Sequence, residues 1–347
     1  MGFPVSQVGP RRAAVRAVAL AVAVVLGSFG FACKKNEGGG QMAPAPGAAP
    51  AAPSGGNLKF AFVTNNSTDF WNIAEKGLLK AQREFPNVKV SMFRPLKGEV
   101  ADQQRFLEDI MVQGFDGVAI SPINPDAMTG VFERVAAKMP LVTTDSDAPK
   151  SPRKVYVGTN NVEAGKVAGN TAADALKAAG ITKGKVALFV GRIDMQNAIE
   201  RKKGIDDTLG KVPGIEILPV FLDHTDRALA KKNVEDALAR YPDLVLVMGI
   251  WSYNGPCAAD AVRTSSRAKK PILVVFDEEE ETLKGVQTGL ITATIVQKPF
   301  EFGYQSVKAL KEIKEGKTLP TTIDTGILVV NKENVDKFWA ELKELKK

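Results

Sequence analysis

The sequence is poor in the residues that most often build metal centres and disulfide frameworks. It contains two cysteines, Cys33 and Cys257, and a single histidine, His224. Two cysteines cannot form a disulfide framework or a four-cysteine zinc site. Because no second histidine is available, we interpret His224 as a solvated loop residue and Cys257 as a small buried apolar residue. We therefore predict neither a metal ion nor a cofactor.

Motifs of common enzyme classes are missing as well. No G-x-G-x-x-G follows a strand pattern, and the chain has no P-loop and no G-x-S-x-G elbow. Its formal charge of +7 is not arranged as a basic stripe interleaved with aromatic residues, so nucleic acid is not an expected partner. We predict that the protein is not an enzyme and has no catalytic residues. A two-lobed α/β enzyme with Asp145 and Asp277 as an acid/base pair stays open as an alternative.

The first 32 residues have the three parts of an export signal. Three arginines precede an unbroken apolar stretch from Ala17 to Leu26, and the residues from Gly27 to Ala32 are mostly small. An apolar run of this length is too short to stay in a bilayer as a spanning helix. We therefore predict a signal peptide over residues 1–32, which places the mature protein outside the cytoplasm.

The segment that follows predicts a tether to a membrane. Gly30-Phe31-Ala32-Cys33 resembles a bacterial lipobox, in which the cysteine thiol receives a diacylglyceryl group, although leucine is usual where Gly30 stands. Residues 33–57 are rich in glycine, alanine and proline, a composition typical of a flexible linker. We predict lipidation at Cys33 and a periplasmic location, or one on the outer face of the cytoplasmic membrane. Ordinary signal cleavage that leaves Cys33 free is the alternative.

From Leu58 onward, short β-rich runs alternate with longer segments of helical spacing. Several runs are continuously apolar, as expected of parallel strands that are covered on both faces. The predicted strands are Lys59–Thr64, Val88–Phe93, Gly117–Ser121, Leu141–Thr144, Val155–Gly158, Lys185–Val190, Ile215–Phe221, Leu244–Met248, Ile272–Phe276, Ile291–Val296 and Gly326–Val330. The predicted helices include Phe70–Phe85, Val162–Ala178, Arg227–Arg240, Phe300–Glu315 and Lys332–Lys347. This alternation predicts an α/β fold with two doubly wound, mostly parallel sheets and a break near Thr159.

Polar and aromatic side chains stand where several of these strands end. Ligands of open α/β sheets bind outside the carboxyl ends of the strands. The candidate ligand-binding residues are Asn66, Phe70, Trp71, Asp145, Arg201, Trp251, Asn254, Asp277 and Gln297. Planar polar groups can each engage two neighbouring hydroxyls, and aromatic faces can cover the C–H surface of a ring. The set favours a sugar, although the two aspartates taken singly could also cap a helix or form a turn.

The order and spacing of these motifs resemble the ribose-binding family of type I periplasmic binding proteins over nearly all of residues 58–330. The motifs are Asn65-Asn66, Phe70-Trp71, Thr143-Thr144-Asp145, Thr159-Asn160-Asn161, Asn197-Ala198-Ile199-Glu200-Arg201, Val275-Phe276-Asp277 and Thr294-Ile295-Val296-Gln297. The resemblance implies that Phe70 and Trp71 flank a sugar ring. It further implies that the ring's hydroxyls are bound by Asp145, Arg201, Asn254, Asp277 and Gln297. It leaves open which of Asn65, Asn66 and Thr68 reaches the ligand.

The same resemblance implies the layout and the partners. Residues 58–159 with 298–325 would form one lobe and residues 160–297 with 326–347 the other, joined by a three-crossing hinge. A monomer would capture a small polar ligand, a monosaccharide, and deliver it to the permease of an ABC transporter. A sensor that docks on a membrane receptor stays open as an alternative. A transcription repressor of the same core is disfavoured, because a signal and a linker stand where a helix-turn-helix would be.

Overall fold

A computed structural model describes residues 56–346, so the signal segment, Cys33 and most of the linker lie outside the described residues. Strands and helices alternate along this part of the chain. The strands are β1 (Leu58–Val63), β2 (Val88–Phe93), β3 (Gly117–Ile120), β4 (Leu141–Thr144), β5 (Val155–Gly158), β6 (Gly184–Val190), β7 (Ile215–Ile217), β8 (Phe221–Leu222), β9 (Leu244–Gly249), β10 (Ile272–Phe276), β11 (Ala293–Val296), β12 (Thr322–Asp324) and β13 (Leu328–Asn331).

The helices alternate with these strands over the described residues. They are α1 (Phe70–Glu84), α2 (Val100–Val112), α3 (Thr129–Lys138), α4 (Asn161–Ala178), α5 (Gln196–Thr208), α6 (Arg227–Arg240), α7 (Asn254–Thr264), α8 (Glu280–Thr288), α9 (Pro299–Lys314) and α10 (Val335–Lys346), with a 3₁₀ turn at Leu209–Lys211. Among residues 56–346, no helix combines the length and the apolar composition that a membrane span requires.

The strands form two sheets, as the sequence predicts. The first sheet has the order β12-β5-β4-β3-β1-β2, and all its neighbouring strands are parallel. The second has the order β13-β11-β10-β9-β6-β7, with β8 also on β6, and only its edge strand β13 is antiparallel. The described chain passes between the sheets after β5, after β11 and after β12. The predicted α/β class is thereby confirmed, while the exact boundaries of the lobes stay a prediction.

Three elements differ from the sequence-based expectation. The run Ile215–Phe221 is two short strands rather than one, because Pro219 has no N–H to donate to a ladder and interrupts the pairing with β6. The edge strand β12 went unpredicted, since its three residues are exposed or half-buried and carry no apolar pattern. The last helix begins at Val335 rather than Lys332, after a turn in which the Asn334 side chain accepts from the Asn331 N–H at 2.9 Å.

Apolar residues of the strands pack against helices on both faces of each sheet. Strands β3, β4 and β5 are buried along their whole length, which explains their continuous apolar character. Cys257 is a free thiol, 8% exposed, in the core of the second sheet, as predicted. This packing leaves the loops at the carboxyl ends of the strands to form the site.

Helices α4 and α5 touch through glycines. A Cβ atom at Gly165 would lie 2.1 Å from the backbone oxygen of Arg201, and one at Gly204 would lie 2.2 Å from that of Val162. Such distances are shorter than any real contact, so only glycine permits the two backbones to come this close. This contact fixes the position of α5 relative to α4, and it thereby places Arg201 at the carboxyl end of the second sheet.

We expect Gly165→Ala to lower the free energy of unfolding by about 1–3 kcal/mol, because the added methyl group must push α5 away from α4. The matched control is Gly130→Ala in α3, where the nearest atom to the new methyl group is 3.8 Å away. That substitution should raise stability by about 0.5–1 kcal/mol, since alanine is the better helix former. Urea unfolding of both variants measures the difference, and equal stabilities would contradict the packing argument.

Candidate functional site

A cavity lies at the carboxyl ends of strands from both sheets. Loops after β1 and β4 of the first sheet and after β6, β9, β10 and β11 of the second contribute to its wall. The lining residues are Asn65, Asn66, Thr68, Phe70, Trp71, Asp145, Asn197, Arg201, Trp251, Ser252, Tyr253, Asp277 and Gln297. Polar groups that follow strands of two separate sheets therefore line one shared space.

Of the candidate residues predicted from the sequence, all but Asn254 line this cavity. Asn254 is the first residue of α7, and its side chain forms hydrogen bonds with neighbouring loops instead. It donates to the Asp223 carboxylate at 2.8 Å and accepts from the Trp251 N–H at 3.1 Å. The structure thus places Asn254 behind the wall, as a support for Trp251.

Asp145 and Asp277 have the same unusual backbone geometry. Each comes directly after the last residue of a parallel strand, Asp145 after β4 and Asp277 after β10. Their φ angles are 59° and 66°. A positive φ is uncommon outside glycine, although aspartate tolerates it better than most residues. Such conformations persist only where the surroundings hold them, and they concentrate at functional sites.

Each of these two backbones is bonded to the neighbouring strand. The Asp145 N–H donates to the Val157 carbonyl at 3.2 Å, and the Asp145 carbonyl accepts from the Tyr156 hydroxyl at 2.9 Å. The Asp277 N–H donates to the Ile295 carbonyl at 2.9 Å, and its carbonyl accepts from the Thr294 hydroxyl at 2.6 Å. These bonds hold both carboxylates at the cavity.

The Asp145 carboxylate is the centre of a polar network. Its Oδ2 accepts from Ser121 Oγ at 2.7 Å, from Asn65 Nδ2 at 3.2 Å and from Asn197 Nδ2 at 3.5 Å. Asn65 in turn accepts from the Trp71 indole N–H at 3.1 Å. Since these donors all use Oδ2, they leave Oδ1 unengaged. Neither aspartate side chain caps a helix, so the capping interpretation of these residues is wrong.

Arg201 is buried, with 1% of its surface exposed, and only part of its guanidinium is satisfied by protein. Nε donates to Asn161 Oδ1 at 2.9 Å and Nη1 donates to the Ile250 carbonyl at 2.8 Å. The guanidinium lies 4.5 Å from the centre of the Phe276 ring. Nη2 is buried and has no partner among the described residues. A buried donor of this kind is costly unless a ligand accepts from it.

Other side chains of the wall also hold buried polar atoms that lack a partner among residues 56–346. These atoms are Asn197 Oδ1, Trp251 Nε1 and Gln297 Oε1. Gln297 uses its amide nitrogen to donate to Asp277 Oδ1 at 3.0 Å. Together with Arg201 Nη2 they supply donors and acceptors in one small space, which suits a ligand with several hydroxyl groups.

Aromatic side chains cover two sides of the cavity. Phe70 and Trp71 begin α1 and pack edge to face, with ring centres 5.2 Å apart. Trp251 and Tyr253 stand on the loop after β9, with ring centres 6.4 Å apart. Such faces pack against the C–H surface of a sugar ring. All of these rings except that of Phe70 are buried.

Sequence reasoning left out several lining residues. Asn197 lies one helical turn before Arg201 on α5, so the i, i+4 spacing could have identified it. Tyr253 follows the end of β9 beside Trp251, so its position at a strand end could have identified it, whereas Ser252 had no distinguishing pattern. In the first loop, the structure places Asn65, Asn66 and Thr68 all at the wall. Asn66 Oδ1 accepts from the Thr68 N–H at 2.9 Å, which shapes this loop.

Burial controls the titration of the two carboxyls. It raises the pKa of Asp145 to about 6, although the charge of Arg201 and the hydrogen bond from Ser121 act in the opposite direction. Burial also raises the pKa of Asp277, against the lowering effects of Arg201 and of the bond from Gln297. Without Arg201, the cost of holding both carboxylates at the cavity would be larger.

The fold and the cavity define a two-sheet α/β binding protein of the type I periplasmic class. The model of the periplasmic binding protein domain matches residues 60–318. The chain belongs to this family. It is 25% identical over 264 residues to the ribose import binding protein of Bacillus subtilis, covering 75% of this chain and 83% of that protein. It is 26% identical over 267 residues to the D-allose-binding periplasmic protein of Escherichia coli, covering 73% and 84%.

Solved structures with similar folds include sugar-binding proteins. A solute-binding protein of an ABC transporter from Burkholderia graminis, in complex with D-arabinose, has a TM-score of 0.76 and 31% identity, covering 81% of this chain and 97% of that chain. GanP, a glucose-galactose binding protein from Geobacillus stearothermophilus, has a TM-score of 0.74 and 30% identity, covering 80% and 98%.

We expect Asp145→Asn to stabilise the ligand-free protein above pH 7. Because the folded-state pKa of Asp145 is raised to about 6, folding favours the protonated form, and this carboxyl costs stability as the pH rises from about 4 to about 6. The amide removes that cost, which is worth up to about 3 kcal/mol at about 1.4 kcal/mol per pKa unit.

The measurement is urea unfolding of wild type and variant at pH 4.5 and 7.5, and the gain should be clearly larger at the higher pH. Asp126→Asn serves as the control, because that side chain is 80% exposed and should show no such pH-dependent gain. A variant of Asp145 that is less stable than wild type at both pH values would contradict the prediction.

Proposed function

We propose that this chain is an exported solute-binding protein that captures a monosaccharide between two lobes and delivers it to the permease of an ABC transporter. The observation that carries the proposal is the cavity at the carboxyl ends of both sheets. Its wall combines buried carboxylates, a partly satisfied guanidinium, amides and aromatic faces. The family and the sugars named for its relatives support the same ligand class.

The chemistry of the wall favours a polyhydroxylated ring. A hydroxyl can donate to Asp145 or Asp277 while it accepts from Arg201 Nη2, so this buried donor gains a partner. An apolar ligand would leave these buried groups unpaired, at a cost of about 1–3 kcal/mol for each. The aromatic faces then cover the C–H surface between the hydroxyls. The proposal involves no chemical change in the ligand, so the protein is a binder rather than an enzyme.

We propose hinge closure because the groups that line the cavity come from the segments of both sheets. Asp145, Phe70 and Trp71 belong to the segment of the first sheet, whereas Arg201 and Asp277 belong to that of the second. A ligand that contacts both sets stabilises the closed arrangement by its higher affinity for that state. Direct bonds already join the two segments at the cavity and its rim, from Asn197 to Asp145 and from Asn124 Nδ2 to Asp194 Oδ2 at 3.2 Å.

Loss of the Arg201 guanidinium should weaken ligand binding by roughly 10- to 200-fold, because hydrogen bonds to charged groups contribute about 1.5–3 kcal/mol. Asp277→Ala should have an effect of similar size. The ligand is first recovered from wild-type protein purified without added sugars and identified by mass spectrometry, and it should be released chemically unchanged. Calorimetric titration of Arg201→Ala and Asp277→Ala with that compound then measures the loss.

The control for this titration is Arg105→Ala, a variant of an arginine whose side chain is 66% exposed on α2. Its affinity should equal that of wild type. Affinities of Arg201→Ala and Asp277→Ala within about threefold of wild type, when 1.4 kcal/mol corresponds to tenfold, would refute the site. Small-angle scattering of wild type should show a smaller radius of gyration with saturating ligand, and an unchanged radius would refute hinge closure.

We also propose that a diacylglyceryl group on Cys33 anchors the protein to a membrane outside the cytoplasm. Cys33→Ser should then move the protein from the membrane fraction to the soluble fraction, because two acyl chains give stable attachment and none remain in the variant. Cys257→Ser is the matched control, since Cys257 lies in the core and should not affect fractionation. A Cys33→Ser protein that stays with salt-washed membranes would exclude this anchor.

A further inference from the structure

Buried charge around the cavity is strongly unbalanced. Among the described residues, the buried charged side chains include one cation, Arg201. The buried carboxylates are Asp145, Asp147, Asp223, Asp277 and Glu278. A buried carboxylate is expensive unless a positive charge or several hydrogen-bond donors compensate it. Each of them therefore needs a partner.

Two of the five carboxylates are compensated within the protein. Asp147 forms an ion pair with Arg153, with 2.6 Å between Oδ1 and Nε. Asp223 accepts from the hydroxyl of Tyr253, from Asn254 Nδ2 at 2.8 Å and from the Thr225 N–H at 3.0 Å. Neither needs a ligand.

The remaining three carboxylates line the ligand cavity or the cavity beside it, and the buried guanidinium of Arg201 acts on two of them, Asp145 and Asp277. Among the buried side chains of this region, three carboxyls stand against the single guanidinium of Arg201. Both Asp145 and Asp277 experience the positive charge of Arg201, which lowers their pKa against the effect of burial. No ion pair of Glu278 within 4.0 Å is found among the described residues, although Lys76 and Lys346 line the same cavity.

Glu278 is the least compensated member of this group. It is 4% exposed, it follows Asp277 directly, and its Oε2 is buried without a hydrogen-bond partner in the described chain. Burial and the neighbouring charge of Asp277 both raise its pKa, and the exposed Lys346 at the end of α10 opposes them only in part. The side chain therefore has a polar atom that the protein does not satisfy.

This glutamate lines a second cavity that adjoins the first. The two cavities share Phe70, Ser252 and Asp277 as wall residues. The second has a volume of about 480 Å³. Its other charged wall residues are Asp69, Lys76, Glu279, Glu280, Glu281 and Lys346. Two of these acids are already paired, Glu279 with Arg227 and Glu280 with Lys284.

The acids of this region are not arranged around a common metal position. Among residues 56–346, no group of three or more histidine, cysteine, aspartate or glutamate side chains has a geometry that could hold a metal ion. An organic cation needs no such convergence, because an ammonium group donates in three directions to acceptors that are spread over a wall.

We propose that the ligand is an amino sugar whose protonated amine binds at Asp277 and Glu278, where the two cavities meet. This inference rests on the proposed function and specifies its ligand. The hydroxyl groups bind at the first cavity, whose volume of about 30 Å³ must widen to admit the ring, against Asp145 and Arg201. The amine supplies positive charge to the carboxylates. Charge-assisted bonds from the amine are stronger than those from a hydroxyl at the same place.

Matched pairs of sugars test this inference by calorimetry at pH 7 and physiological salt. The probes are D-glucosamine, D-galactosamine, D-mannosamine and 6-amino-6-deoxy-D-glucose, each against its neutral parent. At least one amine should bind tenfold or more tightly than its parent, about 1.4 kcal/mol. Glu278→Gln, which keeps the shape of the side chain, should remove most of that preference and leave the affinity for the neutral parent within about threefold.

The matched control is Glu281→Gln, which removes the same charge from an exposed residue of the second cavity. It should leave the preference for the amine intact. A neutral parent that binds as tightly as its amine would overturn the inference while the sugar-binding function stands. Equal weakening of both members of a pair by Glu278→Gln would also overturn it, since the residue would then act on shape alone. No binding of any sugar in the panel would overturn the inference, whereas the proposed function is tested separately by the ligand recovered from the purified protein.

Discussion

The site depends on one buried guanidinium. Arg201 is held from behind by Asn161, by the Ile250 carbonyl and by the face of Phe276. Its charge lowers the cost of burying a carboxylate at the end of each sheet. Arg201 also lines the cavity, and its Nη2 has no partner among residues 56–346. The arrangement is possible because glycines let α4 and α5 touch, which brings this arginine to the end of the second sheet. The chemistry of the cavity therefore depends on the close packing of these two helices.

The two aspartates at the cavity are structural equivalents in different sheets. Each stands just beyond a central parallel strand in a left-handed conformation, and each donates its N–H to the next strand while a side-chain hydroxyl of that strand binds its carbonyl. A strand that simply continued would carry its next side chain onto one face of the sheet. The left-handed residue instead ends the strand at its carboxyl edge, where parallel strands of both sheets present their ligand groups.

Much of the fold could be predicted from the sequence because its strands are continuously apolar. β3, β4 and β5 are buried on both faces, so their composition alone distinguishes them from surface segments. The prediction failed where pairing does not depend on burial. β12 is a short polar edge strand whose partner β5 lies far away in the sequence, and Pro219 interrupts a run that reads as one strand. Edge pairing and local interruption are set by backbone groups rather than by side-chain pattern.

The sequence by itself determined the class of the fold and the end of the sheets at which polar residues would gather, since both follow from the alternation of apolar strands and helices. Only the tertiary structure decided which of those residues reach the cavity. Asn197 and Asn254 both lie in the first turn of a helix after a second-sheet strand, yet one donates to Asp145 and the other to Asp223. The choice depends on which distant carboxylate lies within hydrogen-bond distance, and that distance is fixed by the packing of helices rather than by the sequence near either asparagine.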